Sequence, residues 1–226
     1  MKTLILLWSG GLDSTAALWR LATSRNEWAF IHAFHVTLFN TEARAEAERR
    51  AVAEQLHLLS RQQLRAGLGF AECVVDLSRV PYIPDVEVMF FFGAQYARSV
   101  NATAIMMGRC VEDNAPWGPY PSGRLVHDIS APPGNYNDTE KFQNARSLVR
   151  TITGRDCIVH SPYIDKTKAE IAADMPNELL NLVWSCRQPH LTHEGYIPCG
   201  ACHACVDFMR NGLSHRPVVR NVAANV

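Results

Sequence analysis

Residues 4–15 read LILLWSGGLDST, in which an apolar run stops at a serine and two glycines before an acidic residue opens a helical pattern. An apolar run without alternation predicts a strand that is buried on both faces of a sheet. Glycines in the turn after such a strand let backbone N–H groups approach an anion, and the helix N-terminus attracts negative charge. The stretch therefore predicts an α/β fold in which the first turn binds phosphate.

The turn at residues 8–15, called the phosphate loop below, lacks the length and the lysine of the Gly-rich loop of P-loop NTPases. It resembles the Ser-Gly-Gly-x-Asp-Ser signature of PP-loop ATP pyrophosphatases. In those enzymes pyrophosphate leaves while AMP is attached to a substrate oxygen. The predicted nucleotide-binding residues are Trp8, Ser9, Gly10, Gly11, Leu12, Asp13, Ser14 and Thr15.

Two residues of the phosphate loop are predicted to be catalytic. Asp13 would help to position magnesium or the departing pyrophosphate, and Ser14 would donate a hydrogen bond from its hydroxyl group. Both are expected on a solvent-facing loop. The alternative is a glycine turn between strand and helix that binds no ligand.

Short apolar runs alternate with helical patterns along the rest of the chain. Further strands are predicted at 29–36, 71–76, 104–108 and 157–161, and helices at 14–21, 41–58, 86–100, 139–152 and 166–175. Thr41 is a candidate N-cap for the second helix. This alternation predicts a doubly wound, mostly parallel sheet of about five strands. The Pro-, Gly- and Asn-rich residues 113–137 interrupt it and are typical of a lid or a binding loop.

Four cysteines fall in one short segment near the end of the given sequence, namely Cys186, Cys199, Cys202 and Cys205. The last three are spaced as C-x-x-C-x-x-C. Four thiolates around one ion form a closed, tetrahedral zinc site, and Gly200 would permit the sharp bend between ligands. Alternatives are an iron–sulfur cluster, a histidine ligand in place of one cysteine, and unrelated buried thiols. The histidines concerned are His190, His193 and His203.

The predicted organisation has two parts. Residues 1–176 would form the nucleotide-binding α/β domain, and residues 177–226, the C-terminal region below, would bind zinc. Lys plus Arg and Asp plus Glu both total 22, so the formal net charge is zero and a small substrate is favoured over extended nucleic acid. No apolar run reaches membrane length and no signal-peptide cleavage region follows the first run, so a cytoplasmic protein is expected.

The phosphate loop and the cysteine pattern together resemble the QueC family of 7-cyano-7-deazaguanine synthases. The likeness extends through residues 45–53, 101–108 and 161–171 and ends in the Ser-Cys pair at 185–186 and the three later cysteines. It implies a fold like the adenine nucleotide alpha hydrolases, with bound ATP, magnesium and zinc, and homodimers, which are common in the family.

The resemblance also implies an activity. The family converts a deazapurine carboxylate through an activated amide to a nitrile, using ATP, with ammonia as the nitrogen donor. Lys168 matches the family's lysine at the start of a helix, which implies a catalytic role in stabilising phosphate charge. The alternative is a solvated lysine on a helix surface.

Several stretches depart from the family pattern. An Arg-Asn pair of the family is replaced in residues 84–87, its Tyr-Pro-Asp-Cys-Arg segment is represented at best by 120–124, and its Gly-Gln-Arg-His stretch is absent from 37–42. Extra residues occupy 124–137. The nucleotide half is retained while the substrate half has changed, which predicts a divergent paralogue.

Three functions are consistent with these patterns. The leading prediction is an ATP-dependent ligase that forms a carbon–nitrogen bond on a deazapurine-type carboxylate. A second possibility is transfer of the activated acyl group to an amine on a macromolecule, because an acyl-adenylate reacts with any well-placed nucleophile. A third is a zinc-ribbon module that binds nucleic acid and keeps a vestigial phosphate loop, against which the neutral charge argues.

Overall fold

The computed structural model describes residues 2–40, 42–80, 85–110, 117–119, 125–127, 140–214 and 219–220, which contain ten strands and seven helices. The strands are β1 (Lys2–Leu7), β2 (Trp28–Phe39), β3 (Gly67–Asp76), β4 (Ala104–Met107), β5 (Trp117–Pro119), β6 (Leu125–His127), β7 (Ile158–Val159), β8 (His190–Leu191), β9 (Gly195–Ile197) and β10 (Val219–Arg220). The helices are α1 (Leu12–Thr23), α2 (Ala45–Leu59), α3 (Asp85–Ser99), α4 (Glu140–Thr153), α5 (Lys168–Ala173), α6 (Asn177–Leu180) and α7 (His203–Arg210).

Five strands form one parallel sheet in the order β3-β2-β1-β4-β7. The chain moves outward from β1 to β2 and β3, then returns across β1 to β4 and continues to β7. The predicted α/β fold with a five-stranded parallel sheet is therefore confirmed. All five predicted strands are present, because runs buried on both faces are recognisable from their unbroken apolar sequence.

Helices cover both faces of this sheet, which gives three layers and two apolar clusters. One cluster contains Leu4 and Leu6 of β1 with Leu18 of α1. The other contains Ile5 of β1 with Phe90 of α3. Alternate residues of β1 thus point to opposite faces, and both faces are buried, as expected for a central parallel strand.

Two departures from the predicted boundaries have local causes. Helix α2 begins at Ala45 instead of 41, because Ala43 has φ of 55° and such a left-handed residue interrupts a helix. The candidate N-cap Thr41 lies outside the described residues. The segment 113–137, expected to be a loop, contains the short antiparallel pair β5–β6, and its other residues lie outside the described parts of the chain.

The C-terminal region contains α6, α7 and a three-stranded antiparallel sheet in the order β10-β9-β8. Leu179 and Phe208 of this region belong to the same apolar cluster as α1. Trp184 packs in a third cluster with Ala47 and Ala51 of α2. The C-terminal region is thus packed on the sheet's helices, and the division at residues 176 and 177 stays a prediction.

Among the described helices, none combines the length and the hydropathy that crossing a bilayer requires.

Candidate nucleotide loop and metal centre

The phosphate loop lies where the strand order of the sheet reverses. It follows β1, whose neighbours β2 and β4 are reached by chain connections that run in opposite directions. In open α/β sheets the crevice outside the carboxyl ends of the strands at this switch point is the usual ligand site. The topology therefore gives the loop the position of a ligand-binding turn.

Serine hydroxyl groups organise the loop from inside. The hydroxyl oxygens of Ser9 and Ser14 lie 3.1 Å apart, and the Gly11 N–H donates to Ser9 Oγ over 3.3 Å. Helix α1 begins at Leu12, so Ser14 lies in the first turn and is 5% exposed. The expected solvent-facing position is therefore wrong for Ser14, because α1 begins two residues earlier than the predicted helix at 14–21. Asp13 is half-buried in the same turn.

Gly10 is the residue where the loop bends. Its φ is +76°, and a Cβ atom there would lie 2.9 Å from Val52 Cγ2. Its carbonyl accepts hydrogen bonds from Gln55 Nε2 at 2.8 Å and from the Trp184 N–H at 3.0 Å. Both the left-handed backbone and the close approach of α2 require glycine at this position.

A buried chain of hydrogen bonds supports the loop from below. Trp8 Nε1 donates to Thr15 Oγ1 over 3.1 Å, and Thr15 Oγ1 donates to Gln55 Oε1 over 2.8 Å. Gln55 Nε2 also donates to the Leu182 carbonyl over 2.9 Å. The side chains of Trp8, Leu12 and Thr15 are buried, so backbone atoms are what these residues offer to a ligand. Satisfied buried networks of this kind rigidify a structure.

Gly108, directly after β4, contacts the start of α1. A Cβ atom on Gly108 would lie 2.4 Å from the backbone N of Ser14 and 2.7 Å from the carbonyl carbon of Asp13. Sequence reasoning placed Gly108 at the end of a strand but did not assign it to the loop. Its only local signal is a glycine that ends a buried strand, which indicates a close backbone approach.

His35 was also missed, and it supports the residue before the turn. It is 1% exposed, and its Nδ1 lies 2.8 Å from the Trp8 carbonyl oxygen, so Nδ1 carries the proton and donates. Burial lowers the pKa of His35, and the hydrogen bond to Trp8 opposes that shift only in part. His35 Nε2 has no hydrogen-bond partner among the described residues.

Lys168 is the first residue of α5 and is 8% exposed. Its Nζ lies 3.6 Å from Oδ2 of Asp207 in α7, so a buried ion pair joins α5 to the C-terminal region. Thr167 and Glu170 form a capping box that begins this helix. The alternative of a solvated surface lysine is wrong, because Lys168 is buried against α7. Its predicted role in catalysis stays a prediction.

The four predicted metal ligands come together. The sulfur atoms of Cys186, Cys199, Cys202 and Cys205 all lie within 4.8 Å of one another. Sulfurs bound tetrahedrally at about 2.3 Å from one ion are separated by about 3.8 Å, so the group fits a single ion such as zinc. Gly200, with φ of +68°, makes the bend between the first two ligands of the C-x-x-C-x-x-C run.

Backbone N–H groups point at the sulfurs. The N–H groups of Cys199 and Arg187 donate to Cys186 Sγ at 3.2 Å and to Cys202 Sγ at 3.4 Å. Hydrogen bonds with Cys186 and Cys205 lower the pKa of Cys202. N–H donors of this kind stabilise the thiolate charge that zinc ligands carry.

The alternatives for the cysteines can be compared with this arrangement. The group of ligand atoms found among the described residues consists of the four cysteines and includes none of the three candidate histidines. His190 and His193 are exposed. The sulfur separations also exclude four unrelated thiols as a description of the cluster.

An ion-pair network connects the metal centre to the amino ends of α2 and α3. Arg187, next to the ligand Cys186, donates to both oxygens of Glu42 at 2.6 and 2.7 Å and to Asp85 at 2.6 Å. Arg44 forms ion pairs with Glu42, Glu48 and Asp85. Burial alone would lower the pKa of Arg187, but its partners outweigh burial and raise it. The guanidinium group of Arg187 therefore stays charged.

Two of the four stretches that depart from the family pattern lie mostly outside the described residues, whereas 37–42 and 84–87 are described almost entirely. Of residues 84–87, the last three open α3, and Asp85 belongs to the ion-pair network. Residues 120–124 and most of 124–137 lie in the undescribed parts of the chain. The divergence of the substrate half stays a prediction.

No protein-family model and no curated protein matches this sequence. The likeness to the QueC family therefore rests on the residues quoted above.

Proposed function

We propose that this protein is an ATP-dependent enzyme that activates a carboxylate by adenylation and then forms a carbon–nitrogen bond. The observation that carries the proposal is the phosphate loop at the switch point of the sheet, with Gly108 packed against Ser14. A glycine turn without a ligand would not have to lie at this switch point, which is where nucleotides usually bind in α/β sheets. The Ser-Gly-Gly-x-Asp-Ser sequence makes ATP the favoured nucleotide.

The chain's own groups suit the departure of pyrophosphate. In the proposed reaction a carboxylate oxygen attacks the α-phosphorus of ATP, and the bond to the bridging oxygen breaks as pyrophosphate leaves. The N-terminal turn of α1 offers its backbone N–H groups and dipole to that negative charge. Magnesium would neutralise phosphate charge at the half-buried Asp13 carboxylate.

The acyl-adenylate then accepts a nitrogen nucleophile. The amine attacks the acyl carbon, AMP leaves with the C–O bonding electrons, and the nitrogen loses a proton to give the amide. A second adenylation, on the amide oxygen, would give a nitrile, because AMP then leaves with that oxygen and the nitrogen loses its two protons. The resemblance to the QueC family makes a deazapurine carboxylate the proposed substrate and ammonia the proposed donor.

The zinc centre is proposed as structural, since four thiolates leave no coordination position for water or substrate. The neutral charge and the buried packing of the C-terminal region on α2 support an enzyme over a nucleic-acid-binding module. The proposed contribution of the zinc centre is to hold in place the segment that contacts the phosphate loop.

The test is product analysis by mass spectrometry after incubation with ATP, magnesium, ammonia and 7-carboxy-7-deazaguanine. We expect AMP and pyrophosphate to form only when a carboxylate is present, together with an amide or nitrile. A second outcome is AMP formation with ammonia that yields no amide or nitrile, combined with a conjugate when a protein or peptide amine is added. That outcome would support acyl transfer to a macromolecule. Absence of both ATP binding and AMP formation would contradict the proposal.

Two variants serve as controls for this assay. Asp13→Asn and Ser14→Ala should each lower carboxylate-dependent AMP formation by on the order of a hundredfold or more, since each removes one preorganised electrostatic contact. Near-normal rates in both variants would mean that the activity resides elsewhere or belongs to a contaminant.

A further inference from the structure

The segment that leads to the first metal ligand runs along the phosphate loop. The Trp184 N–H donates to the Gly10 carbonyl over 3.0 Å. The next residue, Ser185, directs its hydroxyl toward Gly11, because a Cβ atom on Gly11 would lie 3.4 Å from Ser185 Oγ. Cys186 follows directly and belongs to the sulfur cluster.

Two hydroxyl groups flank the space beside Gly11. A Cβ atom at Gly11 would lie 3.3 Å from Ser9 Oγ, 3.4 Å from Ser185 Oγ and 3.6 Å from the Trp184 carbonyl oxygen. Ser9 Oγ already accepts the Gly11 N–H and contacts Ser14. The Ser185 side chain is half-buried. A hydroxyl donor therefore stands beside the amino end of α1, where an anion is stabilised.

We infer that Ser185 is a nucleotide-binding residue that the C-terminal region contributes to the phosphate loop. Its hydroxyl donates to a phosphate oxygen of ATP or to the departing pyrophosphate beside Gly11, where a side chain would crowd the loop. This inference rests on the proposed function. It adds a contact from a part of the chain that sequence reasoning had assigned to zinc alone.

The position of Ser185 is set from both sides. Trp184 is buried and bonded to Gly10, and Cys186 is buried, with its sulfur accepting the Cys199 N–H at 3.2 Å. The backbone of a residue held between these two anchors has little freedom to move. Metal bound at the four sulfurs would thus preorganise a phosphate contact, which lowers the entropic cost of binding.

The test measures ATP affinity by calorimetry in the presence of magnesium for the wild type, Ser185→Ala and the control Ser214→Ala. Ser214 is an exposed serine of the same region, so the control also removes a serine hydroxyl group, but one outside the phosphate loop. We expect Ser185→Ala to weaken ATP binding about tenfold or more, as loss of a hydrogen bond to a charged group does. The affinity for pyrophosphate, measured by its competition with ATP, should fall in parallel. Zinc content and thermal midpoint should equal those of the wild type.

The outcomes separate this inference from the proposed function. Equal ATP affinity in Ser185→Ala and wild type would overturn the role of Ser185 and leave the proposed function standing. Loss of zinc together with affinity would also overturn it, because Ser185 would then act through the metal centre. A wild-type protein that binds neither ATP nor pyrophosphate would overturn both.

Discussion

Gly108 and Ser14 meet where the phosphate loop enters α1, with space between their backbones for a hydrogen atom only. A Cβ atom on Gly108 would lie 2.4 Å from both the backbone N and the Cα of Ser14. Because both sides of this contact are backbone, no side-chain rotation can make room for a Cβ atom. An added Cβ would have to push the end of β4 and the start of α1 apart. Ser14 itself donates to the Gly11 carbonyl over 3.3 Å, which links the contact to the whole loop.

Gly108→Ala should therefore displace the amino end of α1 and weaken ATP binding by at least tenfold, together with a lower thermal midpoint. Overpacking of this kind costs about 1–3 kcal/mol. Gly154→Ala is the matched control: its φ of +76° makes alanine strained, but no atom lies within 4 Å of the added Cβ. Both variants should lose stability, and only Gly108→Ala should lose affinity. Unchanged affinity in Gly108→Ala would separate this contact from the nucleotide site.

Gly11→Ala tests the space beside the loop without straining the backbone. Gly11 is the N-cap of α1 with φ of −76° and ψ of 170°, a conformation that any residue adopts. The added methyl group would occupy the space between the hydroxyls of Ser9 and Ser185. We expect a stability loss of about 1 kcal/mol or less and a fall in ATP affinity of at least tenfold, measured by thermal unfolding and calorimetry. Wild-type affinity would mean that no phosphate enters this space.

The parts of the fold that the sequence predicts are those written in local patterns. Buried strands such as β1 are continuous apolar runs, and three of the four clustered cysteines follow a short regular spacing, so both are recognisable without knowledge of the fold. The sheet of β8, β9 and β10 was not predicted, because strands of two or three residues show no period.

The parts of the candidate site that the sequence did not predict depend on contacts between residues that are distant along the chain. Nothing near Gly108 indicates that it touches Ser14, and nothing near Trp184 indicates that its N–H holds Gly10. A solvated surface position was the alternative for Lys168 because lysines are usually exposed, yet its partner Asp207 is supplied by α7. Such contacts follow from topology and cannot be derived from the spacing of residues along the chain.

Zinc should be present at about one ion per chain and should be retained through purification. Cys202→Ser removes one of the four ligands, and we expect it to lose zinc and to lower solubility and thermal midpoint together. Binding energies of structural zinc are roughly 10–16 kcal/mol in finger peptides and couple to folding. Elemental analysis checks the metal, and Cys73→Ser, outside the cluster, is the control. Iron and sulfide in place of zinc would contradict the assignment.

The buried pair of Lys168 and Asp207 allows structure and catalysis to be separated. Removing one partner of a buried ion pair costs roughly 3–5 kcal/mol, so Lys168→Met and Asp207→Asn should both lower the thermal midpoint. If Lys168 also stabilises phosphate charge, Lys168→Met should abolish carboxylate-dependent AMP formation, whereas Asp207→Asn should retain it at a permissive temperature. Equal residual activity in the two variants would limit Lys168 to its structural role.

His35 should make the stability of the protein sensitive to mild acid. Burial lowers the pKa of His35 in the folded state below its ordinary value of 6.5, while nearby Glu72 and Arg49 have opposing effects. The unfolded chain therefore takes up a proton first, so the contribution of neutral His35 is complete above about pH 6.5 and is lost as the pH falls toward its folded pKa. Each unit of pKa depression corresponds to about 1.4 kcal/mol.

Between pH 7.5 and 5.5 the thermal midpoint of His35→Gln should fall less steeply than that of the wild type. His57→Gln is the control for removal of an exposed histidine. Parallel slopes in wild type and His35→Gln would show that this histidine does not titrate with unfolding.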